Sequence, residues 1–435
     1  MKSLFKQTVV SILLWEARLV LRKYRPRIVA VTGSVGKTST KDAIFSVLSA
    51  TEHVRKSDKS FNSEIGLPLT ILGVPNAWSN PLRWLQNILD GLFLLILPTN
   101  YPEWLVLEVG ADRPGDIKSL ASWMSVDVAV ITRLPEVPVH VEYFDSPEAV
   151  VEEKASLINA LKKDGTLVVY ADDARVDMLA AKAKEKGARV LTFGLNEKAD
   201  VRGTNFSLLQ DAARGSWPIG MQVELAVDGA AAPVSIVGVL GAHPLLSIIA
   251  AGAVGQALGK NMLEIVKGLE RYEAPKGRMR LIQGIKDTLV VDDTYNSSPA
   301  AVEAALAALS LISKSVRKIA VLGDMLELGK HSALEHKKIG IYAATHCDVL
   351  VTVGVRARVM AEAALDQGMS DANIFQYEDA PQAAEWLQAF IKEGDCVLVK
   401  GSQSMRTERI VERLMQEPER ASELLVRQEK DWKKR

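Results

Sequence analysis

The chain has 435 residues, of which 48% are hydrophobic and 24% are charged. A chain of this length is expected to form about three domains, and its apolar content is sufficient for buried cores. Lysine plus arginine and aspartate plus glutamate number 53 each, so the overall charge gives no support to a nucleic-acid partner. The two cysteines, Cys347 and Cys396, lie far apart and, without a recognisable cleavable signal sequence, predict buried free thiols and a cytoplasmic location.

The first 26 residues are basic and partly apolar. Their apolar run, residues 9–15, is flanked by lysines and arginines on both sides. It is too short to span a bilayer, and it predicts a basic amphipathic helix. That helix either lies on an anionic membrane surface, assisted by a second apolar run at 92–97, or packs on the first domain. We favour the packed helix, because solvated basic faces are common.

A glycine-containing turn follows the strongly apolar run 28–31. Residues 32–39 read Thr-Gly-Ser-Val-Gly-Lys-Thr-Ser, a shortened P-loop pattern in which Val31 occupies the place of the first glycine. The glycines allow several N–H groups to point at one anion, and the helix that follows adds its positive end. The lysine would neutralise the outer phosphates and the threonine hydroxyl would bind Mg2+. The expected nucleotide-binding residues are Gly33, Ser34, Val35, Gly36, Lys37, Thr38 and Ser39.

Short apolar runs alternate with helical patterns along most of the chain. The strand-like runs are 28–31, 105–108, 128–131, 167–170, 319–322, 349–352 and 397–400. Their alternation with helices predicts an α/β fold of parallel sheets. The expected organisation is a basic amphipathic helix at 1–26, a P-loop domain at 27–272 and a Rossmann-like α/β domain at 273–435. The P-loop domain is expected to contain a small antiparallel segment at about 201–241, and a hinge is expected at 273–278.

Six runs taken together resemble the Mur ligases, ATP-dependent amide-forming enzymes of peptidoglycan synthesis. The runs are 32–39, 62–68, 107–111, 292–299, 321–329 and 399–402. Within that family the resemblance is greatest to the enzymes that add D-alanyl-D-alanine to a UDP-muramoyl tripeptide. It implies a ligase that uses ATP and Mg2+ to convert a carboxylate into an acyl phosphate, which an amine then attacks. Phosphoryl transfer of this kind depends on positioning and on cations around the γ-phosphate.

The resemblance also implies a catalytic set on the P-loop side. Glu108 ends a strand beside the P-loop strand and has the position of an Mg2+ ligand, together with Thr38. His140 matches a family histidine near a second metal ion, and Lys154 matches a lysine that CO2 converts into a carbamate. Without the resemblance, His140 would be an ordinary hydrogen-bonding loop residue and Lys154 an exposed helix lysine in a solvated charge cluster. The expected catalytic residues are Lys37, Glu108, His140 and Lys154, and the expected metal ligands are Thr38, Glu108 and His140.

Further residues are implied on the far side of the hinge. Arg278 would reach the phosphates, and Asp293 and Asn296 match family residues that contact the nucleotide or orient the hinge. A plain turn of Asp, Asn, Ser and Pro is an alternative interpretation of the run around Asn296. The residues expected near the incoming amine or the interdomain cleft are Asp324, Glu327, Lys400 and Ser402.

Several departures from the family pattern affect the expected substrate. Pro244 and Ser247 replace two asparagines, and Gln403 replaces an arginine whose charge contact is then either absent or supplied elsewhere, for example by Arg406 or Arg409. Only about 26 residues precede the P-loop strand, where relatives carry a UDP-binding domain. The acid is therefore either the UDP-muramoyl tripeptide held by other surfaces, including the apolar segment 78–104, or an acid without UDP, as in poly-γ-glutamate or cyanophycin synthetases. A non-ligase P-loop ATPase and a non-catalytic homologue are the remaining alternatives; small-molecule substrates and a monomer are expected.

Overall fold

The computed structural model describes residues 2–58, 65–78, 80–211, 217–429 and 432, without the side chains of 2–6. The first part of the run 62–68 therefore lies outside the described residues. The helices are α1 (Lys2–Tyr24), α2 (Lys37–Leu48), α3 (Gly66–Leu72), α4 (Pro81–Ile96), α5 (Asp116–Ala121), α6 (Pro147–Ala155), α7 (Val176–Glu185), α8 (Ala242–Ala257), α9 (Met262–Leu269), α10 (Pro299–Leu309), α11 (Ser332–Ala343), α12 (Arg358–Asp366), α13 (Ala380–Phe390), α14 (Glu408–Leu414) and α15 (Ala421–Leu424). The strands are β1 (Arg27–Thr32), β2 (Val54–Lys56), β3 (Trp104–Glu108), β4 (Val126–Ile131), β5 (Leu161–Tyr170), β6 (Arg189–Gly194), β7 (Val201–Asp211), β8 (Trp217–Val227), β9 (Ala230–Val237), β10 (Arg280–Gln283), β11 (Leu289–Asp293), β12 (Lys318–Gly323), β13 (Val349–Val353), β14 (Ile374–Tyr377) and β15 (Cys396–Lys400).

The first sheet contains the P-loop strand β1 in its parallel part, third from the edge strand β2. Its order in the described part of the chain is β2-β3-β1-β4-β5-β6-β7-β8-β9. Pairing is parallel from β2 to β7 and antiparallel from β7 to β9. The antiparallel hairpins that the sequence predicts thus continue the P-loop sheet, because β7 pairs with β6 at Val201 and Phe193.

Helices cover both faces of this sheet, which explains why its central strands are continuous apolar runs. In β1, Val29 and Val31 point into the core beneath α2 and α8, whereas Ile28 and Ala30 point into the core beneath α1 and α3. The P-loop between β1 and α2 therefore lies at the carboxyl edge of a sheet that is held from both sides.

The second sheet has the order β10-β11-β15-β12-β13-β14. Only β10 is antiparallel among these described strands. The predicted α/β fold class is confirmed. The carboxyl ends of β11, β12 and β15 meet at one edge, where parallel sheets place their ligand sites.

Cys347 and Cys396 form no disulfide, as predicted, and burial raises the pKa of each thiol to about 12. Among the described residues, no helix combines the length and the apolar character that crossing a membrane requires.

Helix α1 uses its apolar side for packing. Leu13, Ala17 and Val20 are fully buried in the core that α1 shares with α3, and α4 lies against α1 from outside. The arginines and lysines of α1 remain at the surface from Arg18 onward. The apolar side of α1 is thus not available to a membrane.

Glu16 lies inside the contact between α1 and α4. The side chain is fully buried, and neither carboxylate oxygen has a hydrogen-bond partner among the described residues. Gly91 of α4 leaves the necessary space, because a β-carbon there would collide with the carboxylate. Burial raises the pKa of Glu16 to about 7, since a low-dielectric environment disfavours the charged form.

Replacing Glu16→Gln is expected to stabilise the protein increasingly as pH rises. The pKa of Glu16 is about 7 in the fold, against an ordinary value of 4.5 in the unfolded chain. As the pH rises from the lower to the higher of these values, ionisation of Glu16 progressively lowers the stability of the wild type. The amide does not titrate. Urea unfolding should give a free-energy difference between variant and wild type that grows across this window and is constant above it. The same difference at both ends of the window would contradict the assignment, and Glu185→Gln, at an exposed site on α7, is the control.

Candidate active site

A cavity of about 530 Å3 lies between the carboxyl edges of the two sheets. The first sheet and its loops contribute the P-loop, Glu108, Asp112, Arg113, Val139, His140 and Tyr143, and the second half of the chain contributes the remaining wall. The residues from that second half are Arg278, Tyr295, Asn296, Ser297, Ser298, Ala301, Glu327 and Gln403. Most of these side chains are polar or charged, so the cavity suits a charged ligand that both halves hold.

The P-loop has the backbone that an anion site needs. Gly33 and Gly36 have φ of 140° and 87°, and a β-carbon at Gly33 would collide with Thr132. Lys37 Nζ donates to the Gly33 carbonyl at 2.9 Å, which folds the lysine over the turn. Ser34, Val35, Gly36, Lys37 and Thr38 line the cavity, whereas Ser39 is buried on α2 outside that lining.

Polar atoms without partners surround the lysine. Thr38 Oγ1, Ser34 Oγ and Glu108 Oε2 are buried and lack hydrogen-bond partners among the residues that the structure describes. Burial lowers the pKa of Lys37, with the Glu108 carboxylate opposing the shift. Buried polar groups normally have partners, so these atoms indicate a ligand that supplies them.

Thr38 and Glu108 fit a magnesium ion bound together with phosphates. Glu108 is 1% exposed and pairs in register with Val31, directly before the P-loop. No group of three or more His, Cys, Asp or Glu in the described part of the chain forms a metal cluster. Mg2+ usually takes one or two protein carboxylates and completes its shell with phosphate oxygens and water, so one carboxylate and one hydroxyl are sufficient protein ligands.

Lys154 is buried, and the interpretation as an exposed lysine is wrong. It is 1% exposed on α6, and burial, reinforced by the charge of Lys37, lowers its pKa to about 7. The neighbouring acids are engaged elsewhere: Glu152 pairs with Lys182 at 2.5 Å, and Glu153 accepts N–H bonds from the start of α5. A substantial fraction of neutral amine is therefore present near neutral pH.

His140 joins the two halves of the protein. Its Nδ1 lies 2.8 Å from Glu327 Oε2 and its Nε2 lies 3.7 Å from Asp112 Oδ1. The contact with His140 lowers the pKa of Glu327, against the effect of burial. Sequence reasoning missed Asp112, although its position four residues after Glu108 at the end of β3 was a usable signal.

The end of β11 carries a buried ion pair. Lys400 Nζ lies 2.6 Å from Asp293 Oδ2 and donates to the Asn296 carbonyl at 2.9 Å. Met279 N–H donates to Asp293 Oδ1 at 3.2 Å, which attaches the residue after the predicted hinge segment to the same carboxylate. Asn296 lines the cavity, so this pair holds a cavity loop in place.

The four residues expected near the amine substrate separate into two pairs. Glu327 and Ser402 line a second cavity of about 370 Å3 that adjoins the first. Lys400 and Asp324 do not line either cavity: Lys400 is committed to Asp293, and Asp324 Oδ1 accepts from Ala357 N–H at 2.8 Å. Both charges are held by partners within the protein, so these two residues position the backbone next to the cavities. The expected contact of the four residues with the amine substrate stays a prediction.

Arg278 reaches the cavity from the hinge and is held by an aromatic ring. Its guanidinium lies 4.1 Å from the centre of the Tyr295 ring. Behind Tyr295, the side chain of Arg427 donates to the Thr294 carbonyl at 3.0 Å and to the Tyr295 carbonyl, and pairs with Glu408 at 3.0 Å. Sequence reasoning missed Arg427, for which the separation of more than 130 positions left no signal.

The altered segment that begins α8 faces a narrow space beside the P-loop. His243 and Ser247 line this space with Gly36 and Thr40, and Thr40 Oγ1 donates to Ser247 Oγ at 3.2 Å. Burial lowers the pKa of His243 to about 4, so the imidazole is neutral there. Ser247 thus supports α2 from behind the P-loop.

The fold and the cavity define a P-loop enzyme whose nucleotide site is lined by both halves of the chain. Sequence profiles agree: the Mur ligase middle domain matches residues 91–255, and the Mur ligase glutamate ligase domain matches residues 277–403. The chain belongs to the Mur ligase family, whose members are ATP-dependent ligases.

Individual relatives give the same result. A UDP-N-acetylmuramoyl-tripeptide--D-alanyl-D-alanine ligase of Bacillus subtilis is 29% identical over 403 residues, covering 92% of this chain and 79% of that protein. The enzyme of the same name from Mycobacterium tuberculosis H37Rv is 31% identical over 396 residues, covering 86% and 70%. The crystal structure of the MurF ligase from Thermotoga maritima in complex with ADP has a TM-score of 0.76 and 27% identity, covering 94% of this chain and 84% of that one.

Replacing Arg427→Ala is expected to lower the free energy of unfolding by about 2–3 kcal/mol. Removing one partner of a buried pair usually costs about 3–5 kcal/mol, and here Arg406 still faces Glu408 at 2.6 Å. The KM for ATP should rise as well, because Tyr295 no longer holds Arg278.

Urea unfolding and steady-state kinetics measure both effects. Arg420→Ala is the matched control, since its ion pairs with Glu417 and Glu423 are exposed and such pairs contribute little. Equal stability of the two variants would contradict the role of Arg427.

Proposed function

We propose that this protein joins D-alanyl-D-alanine to the carboxylate of a UDP-N-acetylmuramoyl tripeptide, using ATP and Mg2+. The observation that carries this proposal is the group of unpartnered buried atoms beside the P-loop, Thr38 Oγ1, Ser34 Oγ and Glu108 Oε2, in a cavity that both halves of the chain line. The names of the relatives support the choice of the two substrates. The enzyme is proposed to act in the cytoplasm as a monomer on small molecules.

In the first step, a carboxylate oxygen of the acid attacks the γ-phosphorus of ATP, and ADP leaves. The charge that develops on the transferred group needs fixed cations. Lys37 and Arg278 reach the cavity from its two sides, and Mg2+ held by Thr38 and Glu108 would neutralise phosphate oxygens. The product is an acyl phosphate.

In the second step, the amine attacks the acyl carbon and inorganic phosphate leaves, while the amine loses one proton. The adjoining cavity lined by Ser402, Gln403 and Glu327 is proposed to hold the amine substrate. Arg406 also lines this cavity, although its guanidinium already pairs with Glu408 at 2.6 Å. The hinge at 273–278 between the units 27–272 and 273–435 is proposed to bring this cavity to the acyl phosphate.

Lys154 is proposed to react with CO2 to form a carbamate that binds a metal ion near His140. The nitrogen attacks the carbon of CO2 and releases a proton, which requires the neutral amine. The burial of Lys154 and its lowered pKa, about 7, provide that form. The new negative charge would also face the ammonium of Lys37, the first charge that acts on Lys154.

Release of phosphate from ATP is expected to require both substrates and Lys37. The assay omits the acid and the amine in turn, and mass spectrometry follows the joined product. Lys37→Ala should lose activity by about 100-fold or more, since electrostatic contacts to a transferring group are usually that large. Lys163→Ala, at an exposed site on β5, is the control.

Phosphate release with another acid but not with the UDP-muramoyl tripeptide would leave the ligase class intact and overturn the acid. Release that needs no amine would indicate a plain ATPase. A folded protein that binds ATP without any turnover would indicate a non-catalytic homologue.

Carbamate formation is expected to give a new carbonyl resonance when the protein is placed in 13C-labelled bicarbonate. The resonance should disappear in Lys154→Arg, because a guanidinium does not form the carbamate, and persist in Lys182→Arg, an exposed lysine paired with Glu152. A spectrum identical in the wild type and in Lys154→Arg would rule out the carbamate.

A further inference from the structure

Helix α4 carries an apolar stripe that the described part of the chain leaves exposed. The stripe consists of Leu82, Leu85, Leu89, Phe93 and Ile96, whose exposed fractions lie between 45% and 78%. Their spacing of three or four positions places them on one face of the helix. Leu97, Trp78 and, on α1, Trp15 are also exposed, at 50–55%. Contiguous apolar surface of this kind marks an interaction site more often than scattered residues do.

The opposite side of α4 already holds the helix in the fold. Asn87 and Gly91 are buried against α1, and Asn87 Nδ2 donates to the Pro75 carbonyl at 2.7 Å. Ile88 and Leu95 pack against the core beneath the first sheet. The stripe is therefore not the face that attaches α4 to the protein.

Positive charge lies on the neighbouring helix α1 and at the end of the stripe. Residues 1–27 contain seven lysines and arginines and one acid, the buried Glu16, in a chain with 53 basic and 53 acidic residues. Arg18, Arg22 and Arg25 are exposed. Lys23 Nζ donates to the carbonyls of Leu94, Leu95 and Leu97 at 2.9–3.1 Å, which places a cation at the end of the stripe.

We propose that α4 binds the surface of an anionic lipid bilayer through this stripe. A helix with an apolar face and a basic surround lies in the plane of the interface, with its apolar face at the boundary between headgroups and acyl chains, and anionic headgroups attract the basic residues. Trp15 and Trp78 have the amphipathic rings that favour the same boundary. A second copy is disfavoured as the occupant, because two such surfaces would bring basic residues against basic residues.

The helix lies on the membrane and does not cross it. Its 16 residues span about 24 Å, less than the hydrocarbon core of about 30 Å. The sequence favoured packing of the N-terminal helix on the first domain and offered it, assisted by the run 92–97, as the alternative membrane contact. In the structure Leu13, Ala17 and Val20 of α1 are buried in the protein, and α4, which contains the run 92–96, has the exposed face. The proposal goes beyond the ligase reaction, which needs none of these residues.

Sedimentation with vesicles tests the proposal on the full chain. Wild-type protein should sediment with vesicles that contain one part phosphatidylglycerol in two of phosphatidylcholine, less with pure phosphatidylcholine, and less at high salt. The double variant Leu85→Glu, Phe93→Glu should bind at least about tenfold more weakly, because a charge on the stripe that enters the membrane opposes insertion. Leu263→Glu with Val355→Glu, at sites 76% and 70% exposed elsewhere, is the matched control and should bind as the wild type does.

Three results would overturn the proposal. They are wild-type protein that stays in the supernatant with anionic vesicles, a stripe variant that sediments like the wild type, and light scattering that finds a wild-type dimer which the stripe variant loses. Circular dichroism and ligase activity without vesicles are expected to be unchanged in the stripe variant, because both positions are exposed and neither lines the two cavities. Ligase activity thus separates this proposal from the proposed function.

Discussion

The placement of uncompensated charge at one edge of a parallel sheet is the constraint on which the rest of the structure depends. Lys37, Lys154 and Glu108 are held where burial penalises a charge, which is costly unless a ligand supplies the missing partners. A sheet packed on both faces provides the rigidity that holds such groups in place. Because Lys37 and Glu108 line the cavity, the cavity is polar, and the ligand that it suits carries phosphate and metal charge.

The second half of the protein solves a different problem, since it must hold its own charges and still approach the first. Asp293 and Lys400 neutralise each other in the interior, and Arg427 supports the loop that carries Asn296 through backbone carbonyls. His140 and Glu327 are in contact across the cleft, and the Glu142 N–H donates to the Glu327 carbonyl at 3.4 Å. Beside the predicted hinge, the Leu240 N–H donates to the Met279 carbonyl at 3.0 Å. Rigid pairs inside the second half and polar contacts at its edge are compatible with a hinge at 273–278.

The helical layer on the outer side of the first sheet is subject to a third constraint. A buried, unpartnered Glu16 and the small Gly91 set the distance between α1 and α4, and α4 turns its larger apolar residues outward. The unfavourable burial of Glu16 and the exposed stripe both belong to the pair of helices α1 and α4, which do not line the cavity. The features that lower stability are thus found at the proposed membrane surface, whereas the catalytic residues are placed by the well-packed central strands of the sheet.

The sequence by itself determined the P-loop, the alternation of strands and helices, and the family, because each depends on local spacing that a chain carries wherever it folds. The glycines at 33 and 36 and the apolar runs of β1, β3 and β15 are such local signals. Tertiary structure decided which charges are buried and which faces are free. Lys154 looks like a solvated lysine beside two glutamates until α5 and α7 take those glutamates as partners. Arg427 meets Tyr295 only because distant segments pack together. For the same reason the apolar face of α1 is buried while that of α4 is exposed. The burial of a group depends on this packing and not on its neighbours in sequence.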